Sequence, residues 1–434
     1  MTNKTEIKIE TTWDKNVVPA NTPKKRGLLV DIFSNSEKSA DRRPVNLSMV
    51  IDRSGSMGDG RLTAAKEAAK GVVERLGEDD ALSLVVFDSE VSTLINGTRL
   101  TSASKHEVIS VIDHIRTGGT TNLAGGWLEG ATRAAEVMDN SGFKSGHVVL
   151  LSDGRANVGI EDPATLRAHA DEMASRGITT STVGVGSGYS PLQLEALSEG
   201  GLGRLHDAGT PEEMIETILG ELGEVVSVVA SNVEVRLRWP RELRTELLAD
   251  YGNSRMGNGI VVRLGQLVGG SRRTLPIMVD VPALPVGEIM IFDIEVTGKH
   301  PESGEAIKSV VETTKLVVLP PEDASAVDRN IDVAERISRL WESTLGLDAM
   351  RMNERGDLAG AANMIRDAGE ALVAFSAGTK FERKARRNLR VAEDKVMRPW
   401  DGRSKRESMI AAKKFSKGER DHRSGPKGNW NHHL

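Results

Sequence analysis

Four short, almost uninterrupted apolar runs alternate with segments of helical periodicity between about Val45 and Val226. The runs read LSMVID, ALSLVVFD, HVVLLSD and ITTSTVGVG, and continuous apolar strands are typical of a sheet that is covered on both faces. Two intervening segments carry apolar residues at helical spacing, from Leu62 to Leu76 and from Met214 to Val225. This alternation predicts an α/β fold with a doubly wound, mostly parallel sheet over residues 45–226.

Apolar residues recur with a different period in residues 227–320. Here NVEVRLRW and IFDIEV alternate apolar and polar residues between the glycine-rich segments YGNSRMGNG and LVGGS, which predicts antiparallel strands of a β-sandwich. Residues 1–44 also contain strand-like segments, EIKIETTW and RGLLVDIFS. We expect these N-terminal strands to complete the sandwich, so that the α/β segment is inserted between its strands. The alternative is that they add an edge to the α/β sheet.

The C-terminal part divides into a helical and a basic segment. Helical periodicity predicts a helical hairpin in residues 321–380, joined near MNERGD, where Gly356 and Asp357 end one helix and cap the next. Residues 381–434 are expected to be a basic, disordered tail. From Glu382 to Leu434 there are sixteen Lys and Arg against seven Asp and Glu, a charge of +9 in a chain of net charge −5. Such a tail either solubilises the protein or binds nucleic acid or an acidic surface.

Composition excludes several classes of function. The absence of cysteine excludes disulfides and thiolate metal sites. The polar N-terminus lacks the apolar core of a signal peptide, and no run approaches the roughly 18 apolar residues of a membrane helix. The chain has no phosphate-binding G-x-x-x-x-G-K-[ST] motif, and none of its nine histidines falls in a motif that would place it as a base for a nucleophilic serine. We therefore expect a cytoplasmic protein that is not an enzyme.

The segment MVIDRSGSMGDG places oxygen-bearing side chains where a strand ends. Asp52 ends the strand, and Ser54 and Ser56 follow at alternate positions of the loop, so that their side chains point the same way. Ligands of open α/β sheets bind at the carboxyl ends of the strands. Hard oxygen ligands without sulfur or imidazole favour Mg²⁺, or Mn²⁺ or Ca²⁺, over zinc.

Two further loops supply oxygens of the same kind. RTGGTTNLAGG contains Thr120 and Thr121 ahead of a predicted helix, and HVVLLSDGRAN ends a strand with Asp153. A D-x-S-x-S pattern, a later threonine in a GGT-N context and an aspartate in LLSDG together resemble the von Willebrand factor A domain. The metal centre of that family is called the metal-ion-dependent adhesion site. The resemblance covers about Val45 to Val226 and implies a Rossmann-like fold.

The resemblance also implies a set of metal ligands. By position these are Asp52, Ser54, Ser56, one threonine and Asp153. Of the two threonines we take Thr121, because asparagine usually follows the family's ligand directly and Asn122 follows Thr121; Thr120 is the alternative.

Two functional hypotheses follow. In the first, the chain is a non-enzymatic module that binds a partner's Asp or Glu carboxylate through the cation, because two aspartates leave the ion much of its positive character. A metal that only fastens loops is the structural alternative. The domain arrangement resembles bacterial and inter-alpha-trypsin-inhibitor-like members of the family, which recruit partners or scaffold complexes. In the second hypothesis the chain is a subunit of an ATPase-driven or nucleic-acid-associated assembly, with the basic tail on nucleic acid.

Overall fold

The computed structural model describes residues 7–34, 44–153, 156–186, 189, 191–208, 210–225, 228–249, 251–301 and 304–398. These residues form two compact units, each with its own core. One contains residues 44–228, and the other combines residues 7–34 with residues 229–398.

The described residues form sixteen strands and ten helices. The strands are β1 Ile7–Trp13, β2 Val17–Pro19, β3 Lys24–Ser34, β4 Asn46–Asp52, β5 Ala81–Phe87, β6 Val91–Arg99, β7 Gly146–Ser152, β8 Ile178–Val185, β9 Leu202–Ala208, β10 Val228–Arg238, β11 Arg244–Leu247, β12 Asn253–Arg255, β13 Gly259–Val268, β14 Arg272–Val281, β15 Ile289–Lys299 and β16 Ala306–Leu319. The helices are α1 Arg61–Arg75, α2 Ser102–Asp113, α3 Leu123–Ser141, α4 Pro163–Ser175, α5 Pro191–Gly200, α6 Pro211–Val225, α7 Pro321–Ala326, α8 Ile331–Glu354, α9 Leu358–Phe375 and α10 Glu382–Val396.

The unit of residues 44–228 is a doubly wound α/β domain, which confirms the predicted fold class. Its six strands are ordered β6-β5-β4-β7-β8-β9. All neighbours are parallel except β5 and β6, which are antiparallel. Apolar residues of α1, α2 and α6 cover one face of the sheet, and those of α3, α4 and α5 cover the other. Strands buried on both faces need the continuous apolar runs seen in the sequence.

Helix α3 lies unusually close to the centre of this sheet. A Cβ atom added to Gly126 would be 2.4 Å from the ring of Phe87, and one added to Gly130 would be 2.3 Å from Cγ2 of Val50. Only glycine permits this approach. The indole of Trp127, on the same helix, is buried and donates a hydrogen bond to Thr180 Oγ1 over 3.0 Å. The close packing fixes the N-terminus of α3 at the carboxyl edge of the sheet.

The second unit is built on two sheets, ordered β1-β3-β14-β11 and β12-β13-β10-β15-β16-β2. Their inner faces share one apolar core, to which β3, β10, β14 and β15 contribute buried residues. The N-terminal strands lie in these sheets, since β3 pairs antiparallel with β14 and β2 pairs parallel with β16. The chain therefore leaves the sandwich after β3 and returns to it at β10.

Three helices complete the second unit. Gly356 has a φ of +82°, and Asp357 caps α9 by accepting a hydrogen bond from the backbone N–H of Gly360 over 2.9 Å. Residues of α8 and α9 pack on β3 and β14, where Ile337 and Trp341 join Leu29 in a buried cluster. The α8–α9 pair is the hairpin expected from the helical periodicity.

One expectation for the C-terminal segment was wrong. Residues 381–434 were expected to be disordered, yet Glu382–Val396 form helix α10. Ala385 and Val396 are buried, and Leu389 contacts α9 near Gly369. A few apolar residues at helical spacing are sufficient to anchor a helix whose other face is charged. Residues 399–434 lie outside the described part of the chain. None of the helices in the described ranges combines the length and the apolar composition that crossing a membrane requires.

Candidate metal centre

Three loops meet at the carboxyl ends of β4 and β7. The first follows β4, the second precedes α3, and the third begins at Asp153. Backbone hydrogen bonds fasten the first two loops together, from Gly55 N–H to the carbonyl of Gly119 over 2.9 Å and from Gly118 N–H to the carbonyl of Arg53 over 2.7 Å. A Cβ atom on Gly118 would lie 1.7 Å from Oδ2 of Asp88, so the glycine is needed for this approach.

Four of the five predicted ligands are linked through hydrogen bonds. Asp52 Oδ1 accepts from the backbone N–H of Ser54 over 2.8 Å. The hydroxyl oxygens of Ser54 and Ser56 are 3.0 Å apart, and Ser56 Oγ donates to Asp153 Oδ1 over 2.8 Å. Asp52, Ser54 and Asp153 are almost completely buried, whereas Ser56 is exposed. The structure thus brings the first and third loops together through side-chain oxygens.

The two threonines have different environments. Thr121 is buried, and its backbone is held by Asn157, whose Oδ1 accepts from Thr121 N–H over 2.8 Å. The next residue, Asn122, caps α3 by accepting from Gly125 N–H over 3.0 Å. Thr120 is exposed. Thr121 is therefore the threonine in the well-fastened part of the loop, and its role as a ligand stays a prediction.

The oxygen positions fit a small divalent cation. Mg²⁺ binds octahedrally at 2.0–2.1 Å, so neighbouring ligand oxygens are about 3.0 Å apart. The hydrogen-bonded separations of 3.0 Å between the serine hydroxyls and 2.8 Å between Ser56 Oγ and Asp153 Oδ1 are of the same size, so these oxygens are close enough to share one cation. Among the described residues, no group of three or more His, Asp or Glu side chains could hold a metal ion. The candidate ligands here are instead two carboxylates and three hydroxyls, a set that suits a hard cation.

The electrostatics of Asp52 also favour a bound cation. Burial raises the pKa of this carboxyl group, and the neighbouring Asp153 carboxylate raises it further. Hydrogen bonds from Ser152 and Ser54 act in the opposite direction, and the Ser152 hydroxyl donates to Asp52 Oδ2 over 2.5 Å. A cation at this position would compensate for the lost hydration of the buried carboxylate.

Sequence reasoning missed two residues that contact the ligands. Ser152 follows Leu151, which pairs with Ile51 in the sheet, and this register brings Ser152 beside Asp52. Arg61 donates from Nη1 to Asp153 Oδ2 over 2.6 Å and to the carbonyl of Ser56 over 2.7 Å. The position of Arg61 offered a weak signal, because a cation in the first turn of a helix opposes the helix dipole and is stabilised there by a nearby anion.

Comparisons with known proteins agree with the fold. The family model of the von Willebrand factor type A domain matches residues 46–217. Among solved structures, a von Willebrand factor type A protein from Catenulispora acidiphila superposes with a TM-score of 0.67 at 17% identity. That superposition covers 96% of this chain and 98% of the other, so the likeness of fold extends over both units.

Sequence relatives occur in bacteria, plants and animals. Protein sll0103 of Synechocystis is 24% identical over 368 residues, which cover 82% of this chain and 85% of that protein. The E3 ubiquitin-protein ligase WAV3 of Arabidopsis thaliana is 24% identical over 76% of this chain and 43% of its own length. Mouse inter-alpha-trypsin inhibitor heavy chain H3 is 27% identical over 52% of this chain and 26% of its own length. The chain thus spans less than half of either the ligase or the inhibitor chain.

Proposed function

We propose that this chain, whose residues 46–217 match the family model of the von Willebrand factor type A domain, is a non-enzymatic, metal-dependent module that binds another protein. A divalent cation, Mg²⁺ or Mn²⁺, is held by Asp52, Ser54, Ser56, Thr121 and Asp153. An Asp or Glu carboxylate of the partner protein completes the coordination of this cation. The bound metal supplies a positive charge at the carboxyl edge of the sheet, and the residues of this chain hold and orient it.

One observation carries the proposal. Hydrogen bonds of 3.0 and 2.8 Å join the hydroxyl oxygen of Ser54 to that of Ser56 and the latter to Oδ1 of Asp153, so these three oxygens are close enough together to share one small cation. With only two carboxylates among the candidate ligands, a bound divalent ion keeps a strong attraction for a further anionic oxygen. The exposure of Ser56 puts the solvent side of the cluster within reach of a partner.

The contacts of the two serines support a binding role over a nucleophilic one. Ser56 Oγ donates to Asp153 Oδ1, and Ser54 Oγ lies 3.0 Å from Ser56 Oγ. A nucleophilic serine instead needs a base that takes up its proton, most often a histidine. Both hydroxyls here belong to a cluster of oxygens, as metal ligands do.

The proposal is tested by capturing partner proteins with the full chain. Wild type, Asp52→Ala and Asp153→Ala are each compared in Mg²⁺ and in EDTA, with the exposed Asp113→Ala as a matched control. We expect a defined set of partners to be retained only by wild type and Asp113→Ala, and only in Mg²⁺. Asp113 is half exposed and binds Lys70 on the α/β unit, so its loss should not affect the cation. Retention of every partner under all conditions would leave the metal a structural role at most.

Helix α10 favours nucleic acid as a second binding partner. Five basic side chains are exposed within its first nine residues, Arg383, Lys384, Arg386, Arg387 and Arg390. Its buried side, with Ala385 and Val396, holds the helix in place, so these charges are presented on an ordered surface. Ordered cations at this density can pair with successive phosphates of a nucleic acid backbone.

Replacing three of these arginines should separate this second function from the first. The triple variant Arg383→Glu, Arg387→Glu and Arg390→Glu is expected to lose binding to single-stranded RNA and duplex DNA probes at low salt. For wild type, log K should fall with log salt by roughly 0.7 to 0.9 for each phosphate contact. Fluorescence anisotropy across a salt series measures both effects. An intact protein that binds neither probe at low salt would refute the second function and leave the metal-dependent one untouched.

A further inference from the structure

We propose that Arg61 sets the charge of the metal centre, weakening its affinity for the cation and strengthening the affinity of the bound cation for a carboxylate. This inference rests on the proposed function, because it assigns a role at the same site. Arg61 is the first residue of α1, and its guanidinium reaches both the first and the third loop of the centre. No ligand role is required of Arg61 itself.

Arg61 and Asp153 form a short ion pair. Arg61 Nη1 lies 2.6 Å from Asp153 Oδ2, and the Asp153 side chain is fully buried while that of Arg61 is 35% exposed. The other oxygen of Asp153 accepts from Ser56. Both oxygens of this carboxylate therefore have a donor within the protein, and the guanidinium neutralises its charge in a poorly hydrated position.

Arg61 begins helix α1. The first turn of α1 contains no acidic residue, and the dipole of the helix disfavours a cation there. A Cβ atom on Gly186, at the carboxyl end of β8, would lie 3.0 Å from Arg61 Nε, so the absence of a side chain leaves room for the guanidinium. An arginine at this position destabilises the helix by itself, and the Asp153 carboxylate compensates for that effect.

Arg61 also changes the net charge of the candidate centre. The candidate ligands contribute two negative charges from Asp52 and Asp153, and Arg61 contributes one positive charge. With a divalent cation bound, the centre carries a net charge of +1; without Arg61 it would be neutral. A neighbouring guanidinium repels the incoming cation and attracts an incoming carboxylate, and both effects are larger in a partly buried site than in water. Arg61 therefore weakens the binding of the cation and strengthens the binding of the carboxylate.

Removing this charge should change the two affinities in opposite directions. Water-proton relaxation of Mn²⁺ measures cation binding to the full chain, and displacement of Mn²⁺-bound water by acetate measures carboxylate binding. In Arg61→Gln we expect Mn²⁺ to bind about tenfold more tightly and acetate to bind about fivefold more weakly, as one unit charge at short range allows. A residue with a merely structural role would weaken both steps.

Two further variants make the test specific for charge. Arg61→Lys keeps the positive charge and should bind both probes like wild type. Arg176→Gln removes an exposed arginine that pairs with Glu172. Arg176 lies just before the start of β8, at the opposite edge of the sheet from the candidate centre, so this variant should change neither affinity. Thermal unfolding in EDTA checks that each variant is folded.

The outcomes separate this inference from the proposed function. If wild type binds no Mn²⁺, the proposed function fails and the role of Arg61 fails with it. If wild type binds Mn²⁺ but Arg61→Gln binds it equally well or more weakly, only the role of Arg61 is refuted. An Arg61→Lys variant that behaves like Arg61→Gln would likewise overturn the inference, because charge would not be the cause.

Discussion

Asp52→Asn is expected to bind Mg²⁺ or Mn²⁺ at least about a hundredfold more weakly than wild type while the α/β unit stays folded. Asp52 supplies one of only two carboxylates among the candidate ligands, and loss of groups that merely orient ligands already costs 10–100-fold in metal affinity. Isothermal calorimetry on the full chain measures this change. The amide preserves the shape of the side chain and can still accept the hydrogen bond from Ser54 N–H.

The stability of this variant in EDTA should be equal to or greater than that of wild type. Burial raises the pKa of Asp52 in the folded chain. A carboxyl group with a raised pKa favours the fold only while it is protonated, and that contribution is lost as the pH rises through the folded pKa. Wherever the group is ionised it therefore opposes folding, and the neutral amide relieves this penalty.

Asp113→Asn is the matched control for the calorimetry. Asp113 lies on α2 and its carboxylate is half exposed and bound to Lys70, so the same chemical change there should leave metal affinity unaltered. Unchanged metal affinity in Asp52→Asn would remove the basis for a metal-dependent function. Equal losses in both variants would point to a general effect of charge on the α/β unit.

The sequence predicts the centre of the α/β sheet well and its edges poorly. Strands β4, β5, β7 and β8 are buried along their whole length, and burial on both faces requires the apolar runs that make them recognisable. Edge strands β6 and β9 are mostly half-buried. Their mixed composition resembles that of a loop, so periodicity alone does not identify them.

Helix α10 was missed for a related reason. Nine of its fifteen residues are charged, ERKARRNLRVAEDKV, and that composition is also typical of disorder. What distinguishes it is the spacing of the buried Ala385, of Leu389 and of Val396, the last two of which pack on residues of α8 and α9. The stability that such a sparse apolar face provides depends on the surface of the same chain on which it packs, and the local sequence does not reveal that surface.

At the candidate metal centre, too, the sequence does not reveal contacts between distant side chains. Asp52, Ser54 and Ser56 are close in sequence, so their common direction follows from local geometry. The bonds from Ser152 to Asp52 and from Arg61 to Asp153 join residues 100 and 92 positions apart. They depend on which strands are neighbours, and the order β5-β4-β7 is not written in any one segment.

Gly130→Val is expected to destabilise the α/β unit by about 3 kcal/mol, the upper range for overpacking in a core. Its Cβ atom would lie 2.3 Å from Cγ2 of Val50 and 3.2 Å from the hydroxyl of Ser48, both on β4. Helix α3 must then move away from the sheet and displace the loop that carries Thr121, so metal affinity should fall as well. Hydrogen exchange read by mass spectrometry measures the loss separately in peptides of β4 and of β10.

Gly220→Ala is the control for this prediction, because the surroundings of a glycine decide whether its replacement stabilises or destabilises the protein. Gly220 lies within α6, and a Cβ atom there would have no neighbour within 4 Å. Alanine should therefore stabilise the same unit by about 0.5–1 kcal/mol through its higher helix propensity. Peptides of β10, in the sandwich, should keep their protection in Gly130→Val if the two units unfold separately. Unchanged exchange in β4 of Gly130→Val would contradict the close packing of α3, and with it the mechanism that holds the Thr121 loop at the metal centre.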